Sequence, residues 1–310
     1  MQRESRIQKL SNVQFFLMMM LAIVFWALAF PFIRIGLDKL SFINLTIMRF
    51  FVVCMTFLIL IVLKRNWFSK IYKKDIPSIF LLGFFGVMVY HFGLNYGEQY
   101  ITAGAASLII ATSPVYIVIL AAVFLKEKIT FFKFLGIILA LFGVIIISIL
   151  GKQGEKIQIQ TAFAALAVLI AAIVSAFYTI TGKKLLSRYN GLSLTAYAIL
   201  FGSIILVPLS IFNSSLINEV SNMQSVTWFA VIFLGVFSTV IGYGIWYMAL
   251  EIKTASEISV YLYAIPVLST IVSYILFKDA ITIFFILGGI FVIIGIVIVN
   301  MKQKNSINKK

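Results

Sequence analysis

Charge is scarce in this sequence, and acid scarcer still. Its 310 residues hold ten aspartates and glutamates, one histidine, one cysteine and five prolines, and only 11% of the chain is charged. A soluble chain of ordinary composition carries roughly 25% Asp, Glu, Lys and Arg, so a water-soluble globule is excluded. One histidine and so few acids also leave little material for acid–base catalysis or metal ligation. No cofactor and no metal site are expected. Cys54 has no second cysteine to pair with and lies in an apolar run, where it reads as a buried structural thiol. A glycine-rich strand–loop–helix unit with a Walker-type lysine is also missing, which argues against ATP-driven transport by this chain alone.

What the chain has is apolar length. Sixty-two per cent of it is hydrophobic, and the mean hydropathy is +1.10. A helix needs about 20 mainly apolar residues to cross a bilayer. Ten segments have that length: 15–36, 43–63, 77–97, 101–125, 132–150, 161–182, 192–212, 226–249, 255–277 and 283–301. The expected fold is therefore an all-α integral membrane protein with ten transmembrane helices. The first segment, preceded by Arg3, Arg6 and Lys9, imitates a signal peptide, but its continuing apolar run and the nine spans behind it favour a retained helix. With the N-terminus inside, 19 of the 25 lysines and arginines fall on the inner side. That bias predicts a multi-pass protein of the cytoplasmic membrane with both termini cytoplasmic. The net charge of +15 then reports topology and contact with anionic membrane lipid, not nucleic acid.

The chain also repeats itself at a fixed offset of 152 residues. Thr102-Ala103 recurs as Thr254-Ala255, Pro114-Val115 as Pro266-Val267, and Lys126-Glu127-Lys128-Ile129-Thr130 is echoed by Lys278-Asp279-Ala280-Ile281-Thr282. Upstream, Gly83 and Phe85 match Gly235 and Phe237. The predicted organisation is one repeat over 15–150 (helices 1–5), a second over 161–301 (helices 6–10), and tails at 1–14 and 302–310. Five is odd, so the second copy starts on the opposite side of the membrane. Inverted repeats of this kind suit alternating access to a site between the halves.

The motifs resemble the ten-helix EamA branch of the drug/metabolite transporter superfamily. The resemblance spans Phe15 to Met301 and rests on Trp26 with Ala29-Phe30, Arg49-Phe50, Ser113-Pro114, and Leu125-Lys126-Glu127-Lys128-Ile129-Thr130. Pro266 and the weaker Phe277-Lys278-Asp279 match in the second copy, and Gly235, Thr239, Tyr243 and Trp246 in its third helix. Ser175 departs from the pattern, standing where the second repeat often carries its own tryptophan. The resemblance implies movement of small organic metabolites, amino acids among them.

Polar groups at membrane depth are costly unless they face protein or a water-filled cavity, so they nominate the site. His91 and Asn95 share a face of helix 3; they either contact a solute or fasten two helices together. Thr239, Tyr243 and Trp246 form a stripe on helix 8, offering apolar surface with hydrogen-bonding tips. Trp26 and Phe30 in helix 1, Tyr178 in helix 6, Ser113 near Pro114 and Tyr263 near Pro266 complete the candidate solute-binding set. Pro31, Pro114 and Pro266 are expected to kink their helices. Gly83, Gly235, Gly242 and Gly244 are expected to permit close helix approach. Glu127 and Asp279 read as solvated pairs with neighbouring lysines, and Glu98 and Glu257 as interfacial residues, weaker candidates for ion coupling.

The reading that unites these features is a secondary transporter, an exporter of a small organic metabolite such as an amino acid, working by alternating access. It is not an enzyme. A membrane-embedded transferase or a flippase for lipid-linked solutes is the alternative. Partners are a small-molecule solute and membrane lipid; whether the chain pairs with a second copy is not legible.

Overall fold

The computed structural model describes residues 11–150, 159–277 and 283–300. The N-terminal residues 1–10, the 151–158 link, the Lys278–Thr282 loop with Asp279, and the tail from 301 lie outside the described residues, and with them the charges expected there.

The described elements are all helical. Eight helices are long and apolar enough to cross a membrane: α1 (Asn12–Leu37), α2 (Phe42–Leu63), α3 (Lys73–Tyr100), α4 (Ala103–Leu125), α6 (Ala162–Leu185), α7 (Gly191–Phe212), α8 (Ser225–Ile252) and α9 (Ala255–Leu276). Two more, α5 (Phe131–Leu150) and α10 (Ile283–Asn300), carry shorter apolar stretches at 131–143 and 286–295. Local chemistry starts them. Ser11 and Gln14 form a reciprocal capping box on α1. Thr102 and Thr254, equivalent in the repeat, cap α4 and α9, each hydroxyl accepting at 3.3 Å from the amide three residues on.

The sequence repeat is also a repeat of backbone irregularities. The stretch Phe84–Val89 in α3 is π-helical, and so is Phe233–Ile241 in α8. Helix α4 breaks after Ile110 and restarts at Ser113. Helix α9 passes through a tight 3-10 turn, Val260–Tyr263, and restarts at Ala264. Pro114 and Pro266 thus stand in the first turn of a restarted helix, where a missing N–H costs no hydrogen bond. They mark breaks, not the bends in continuous helices expected from sequence. The carbonyl of Ile110 accepts from the hydroxyl of Ser113 at 2.6 Å. Helix α1, by contrast, runs unbroken through Pro31.

The two halves interlock reciprocally. Helix α3 packs on α6 and α8 on α1; α7 lies against α3 as α2 lies against α8; α5 and α10 pair with each other. The links follow the same rule. The link after α2 reaches the start of α7, where the Ser69 amide donates to Ser193 Oγ at 2.7 Å and Asn190 Nδ2 donates to Ser69 Oγ at 3.2 Å. The link after α7 reaches the start of α2, where the Ser41 amide donates to Glu219 at 2.7 Å and Asn44 Nδ2 donates to Ser215 Oγ at 3.0 Å. Burial pushes the Glu219 carboxyl up, but hydrogen bonds from Ser41, Asn44 and Ser215 outweigh it and hold it below its ordinary value.

Glu127 does not pair with its neighbouring lysines. It follows Lys126, a left-handed residue with φ 55°, and caps α9, accepting from the amides of Ala255 and Ser256 at 2.8 and 3.1 Å and from Ser256 Oγ at 2.6 Å. Lys133 sits 3.5 Å from Glu257 beside it. Gly83 is needed for backbone contact with α7, since a Cβ there would lie 2.0 Å from the Ala198 carbonyl oxygen. Gly244 has open space instead of the close neighbour expected of it.

Candidate functional site

The breaks of α4 and α9 and the π-helical stretch of α8 border one interior cavity, with an atom-free volume of about 640 Å³ including its open part. Its walls come from α1, α2, α3, α4, α6, α8 and α9, so both halves contribute. Five of the ten sequence-nominated residues line it: Trp26, Phe30, Ser113, Tyr243 and Trp246.

Three of these make one aromatic wall. The Trp26 ring lies 5.4 Å from Tyr243 and 5.3 Å from Trp246, both tilted or edge-on. Their indole tips are anchored: Trp26 Nε1 donates to the Ser238 carbonyl at 2.9 Å, and Trp246 Nε1 to Thr179 Oγ1 at 3.3 Å. The Ser238 carbonyl lies within the π-helical stretch of α8. Ser175, standing where the family resemblance expects the second repeat's own tryptophan, also lines the cavity, and its hydroxyl donates back to the Ala172 carbonyl at 2.7 Å. A small residue there leaves volume that a second indole would occupy.

The other five nominated residues do not line the cavity. His91 is 1% exposed. Its Nδ1 bonds the Gly86 carbonyl at 2.8 Å, and its ring packs edge-on against Phe50 at 4.7 Å. It also meets Tyr243, its own repeat equivalent, at 6.2 Å. Asn95 donates to Thr46 Oγ1 at 2.9 Å, fastening α3 to α2. Tyr178 backs Tyr243, with ring centroids 5.5 Å apart, and accepts on its carbonyl from the Tyr247 hydroxyl at 3.0 Å. Thr239 accepts from Arg49 Nε at 2.9 Å. Tyr263 is fully buried in a separate cluster with Ala111, Val118 and Ile137. Thr179 and Ser238, each one residue from a nominated position, reach the cavity instead. A π-helical stretch turns the face of α8 away from the α-helical count, which explains the second shift.

Arg49 entered the sequence reading only as part of the Arg49-Phe50 motif and was not nominated as a solute-binding residue. It is 3% exposed, midway along α2, and it is the one charged residue among those lining the cavity. The hydroxyls of Thr239 and Ser238 accept from its Nε and Nη2 at 2.9 and 3.2 Å. These two bonds hold one edge of the guanidinium and orient the rest. The signal was present: a lone arginine inside an apolar span marks a functional site by default. Glu98, read as interfacial, is 7% exposed inside the protein. Cys54 is only half buried, in a shallow recess beside Ser203.

A multi-pass helical membrane protein with two similar halves about a mixed aromatic and cationic cavity has the layout of a small-molecule transporter. The EamA-like transporter family matches the chain twice, over residues 15–149 and 162–301. The chain belongs to that family, within the drug/metabolite transporter superfamily; it is a transporter and not an enzyme, and its cargo is a small molecule. It is similar to an uncharacterized transporter of Archaeoglobus fulgidus, at 38% identity over 91% of this chain and 97% of that one. It is also similar to the uncharacterized transporter YdfC of Bacillus subtilis, at 32% identity over 96% and 94%. A probable terminal-alkyne amino-acid exporter of Streptantibioticus cattleyicolor is 30% identical over 92% of both chains. A solved crystal structure shares the fold at a TM-score of 0.72 and 15% identity, over 94% of this chain and 98% of that one.

Proposed function

We propose that the chain is a secondary exporter of a carboxylate-bearing small metabolite, an amino acid or a close relative, working by alternating access across the cytoplasmic membrane. Ten spans form two inverted halves, 15–150 and 161–301, with both termini cytoplasmic. The halves rock about the cavity and expose it to one side at a time. The observation that carries this reading is Arg49. A guanidinium held on one edge by Thr239 and Ser238 belongs to a residue that lines the same space as Trp26, Tyr243 and Trp246. Arginine suits carboxylate recognition, and the aromatic wall suits the apolar part of an amphipathic solute. The basic bias of the inner segments supports the orientation, and the relative named as an amino-acid exporter supports the solute class.

The test is uptake into proteoliposomes of a panel of labelled amino acids beside their carboxamides. Acids are expected to move and carboxamides to fail, with Arg49→Gln abolishing the difference. Equal movement of both sets, or of neither, overturns the solute class. Metabolite profiles of cells with and without the protein test direction: export predicts that the cargo accumulates inside cells lacking it.

A further inference from the structure

We infer that Glu98 is a proton-binding site of this transporter, seated at the seam between its halves and tied to the cavity through Arg49. Both carboxylate oxygens of Glu98 are buried, and neither has a hydrogen-bond partner. An ionised carboxylate in that state is costly, and a protonated one much less so. Structural roles ordinarily come with partners, as Glu127, Glu219 and Glu257 show in this same chain.

The surroundings give the site its meaning. Glu98 follows Gly97, where α3 presses on α6: a Cβ at Gly97 would lie 2.1 Å from Val168 Cγ2 and 3.2 Å from the Ala164 carbonyl. This is a contact between the first half and the second. The charges that act on Glu98 are Arg49 from α2 and Arg34 from α1. On its own helix it acts on Tyr90, which lines the cavity. The facing stretches of α6 (162–172) and α4 (103–112) contain no ionisable residue. Arg49 and Glu98 form no ion pair within 4 Å, so Glu98 feels the guanidinium while Arg49 keeps its donors for the cavity.

The step is a single proton transfer: a hydronium ion gives a proton to the Glu98 carboxylate and becomes water, one O–H bond breaking in the donor as one forms on the carboxylic acid. Tight packing of α3 on α6 favours the acid; separation of the two helices admits water and favours the carboxylate. If the solute carries a carboxylate, as proposed above, its seating on Arg49 cancels the cationic field and draws a proton onto Glu98. Solute and proton are then carried together, so export is driven by the solute's own outward gradient and not by the inward proton gradient.

The test needs no solute. The full chain in phosphatidylcholine nanodiscs is titrated while the infrared carbonyl band of protonated carboxylic acids is followed. The wild type is expected to lose a band reversibly on alkalinisation, and Glu98→Gln to lack it. Arg49→Gln is expected to move that loss to higher pH by about one unit or more, the effect of removing a nearby opposite charge, and Arg49→Lys to restore it. A wild type without the titrating band, or a band that survives in Glu98→Gln, overturns the assignment. A band unmoved by Arg49→Gln, in protein that still elutes as a monodisperse peak, overturns the link to the cavity. These outcomes are independent of the uptake assay. Carboxylate transport without a titrating Glu98 removes only this inference, and a titrating Glu98 in a protein that moves no carboxylate removes only the proposed solute.

Discussion

Helices α3 and α8 are two copies of one design, and they have used the same irregularity differently. Each contains a π-helical stretch at the repeat-equivalent place. Such a stretch loosens the backbone ladder and offers carbonyls to side chains. In α3 the carbonyl of Gly86 is taken by His91 of the same helix. In α8 its equivalent, the Ser238 carbonyl, is taken by Trp26 from the other half. At the next position α3 has Val87 and α8 has Thr239, which holds Arg49. The first copy has closed its irregularity on itself; the second has turned it toward the cavity. Duplication thus supplied a symmetric frame, and substitutions on one side made it a site.

The comparison breaks most severely at the matched glycines. Gly83→Ala would drive a Cβ into the α7 backbone, whereas Gly235→Ala would meet the Val52 side chain at 2.8 Å. The first substitution is expected to cost about 3 kcal/mol and the second about 1 kcal/mol, because a side chain yields more readily than a carbonyl. Thermal unfolding of both variants in detergent measures this, and equal losses would show that the two matched positions are equally confined.

Next is Thr239→Val, which makes the second copy resemble the first at this position. Losing the bond to Arg49 is expected to lower stability by about 2 kcal/mol, the range for hydrogen bonds to charged groups, and to weaken carboxylate uptake. Undiminished uptake would show that Thr239 does not orient the guanidinium. Smaller still are Trp26→Phe and His91→Phe, each of which removes the donor to the equivalent carbonyl at about 1 kcal/mol. Only Trp26→Phe is expected to reduce uptake in proteoliposomes, since only Trp26 faces the cavity. Similar uptake by the two variants would erase the distinction between copies.

The smallest effect separates the two capping links. Hydrogen bonds depress the folded-state Glu219 carboxyl, so its contribution is present above the ordinary value of 4.5 and is lost as pH falls through the depressed one. Glu219→Gln should therefore lower the melting temperature slightly at neutral pH and match the wild type in acid. Ser69→Ala, in the opposite link, removes the uncharged bonds that the Ser69 hydroxyl accepts from the Asn190 amide and Nδ2 and should lower it equally at both. A pH-independent Glu219→Gln deficit would mean that its bonds matter without its charge.

Much of this architecture was legible beforehand. Apolar runs of about 20 residues admit few structures in a membrane, because every backbone polar group must be satisfied within the segment. Trp26, Tyr243 and Trp246 were found as large amphipathic side chains at membrane depth, and Phe30 as the aromatic residue one helical turn from Trp26. Thr239, Asn95 and His91 were chosen by the same criterion but point into helix contacts. A one-dimensional pattern records that a polar group needs a partner, and does not record whether the partner is protein or solute. Arg49 appears in the sequence as part of a motif, and a motif does not record that its guanidinium is held at the cavity by Thr239 and Ser238.

Composition, span length and the 152-residue offset determined by themselves that this chain is a duplicated helical membrane protein, because hydrophobic length and periodic matching are properties of the chain alone. Only the tertiary structure decided which polar residues meet at the cavity, that Pro114 and Pro266 begin helices, and that Glu98 is buried without a partner. Those facts depend on the rotation of each helix about its axis. That rotation is set by π-helical stretches and by contacts between residues as much as 212 positions apart, as with Trp26 and Ser238.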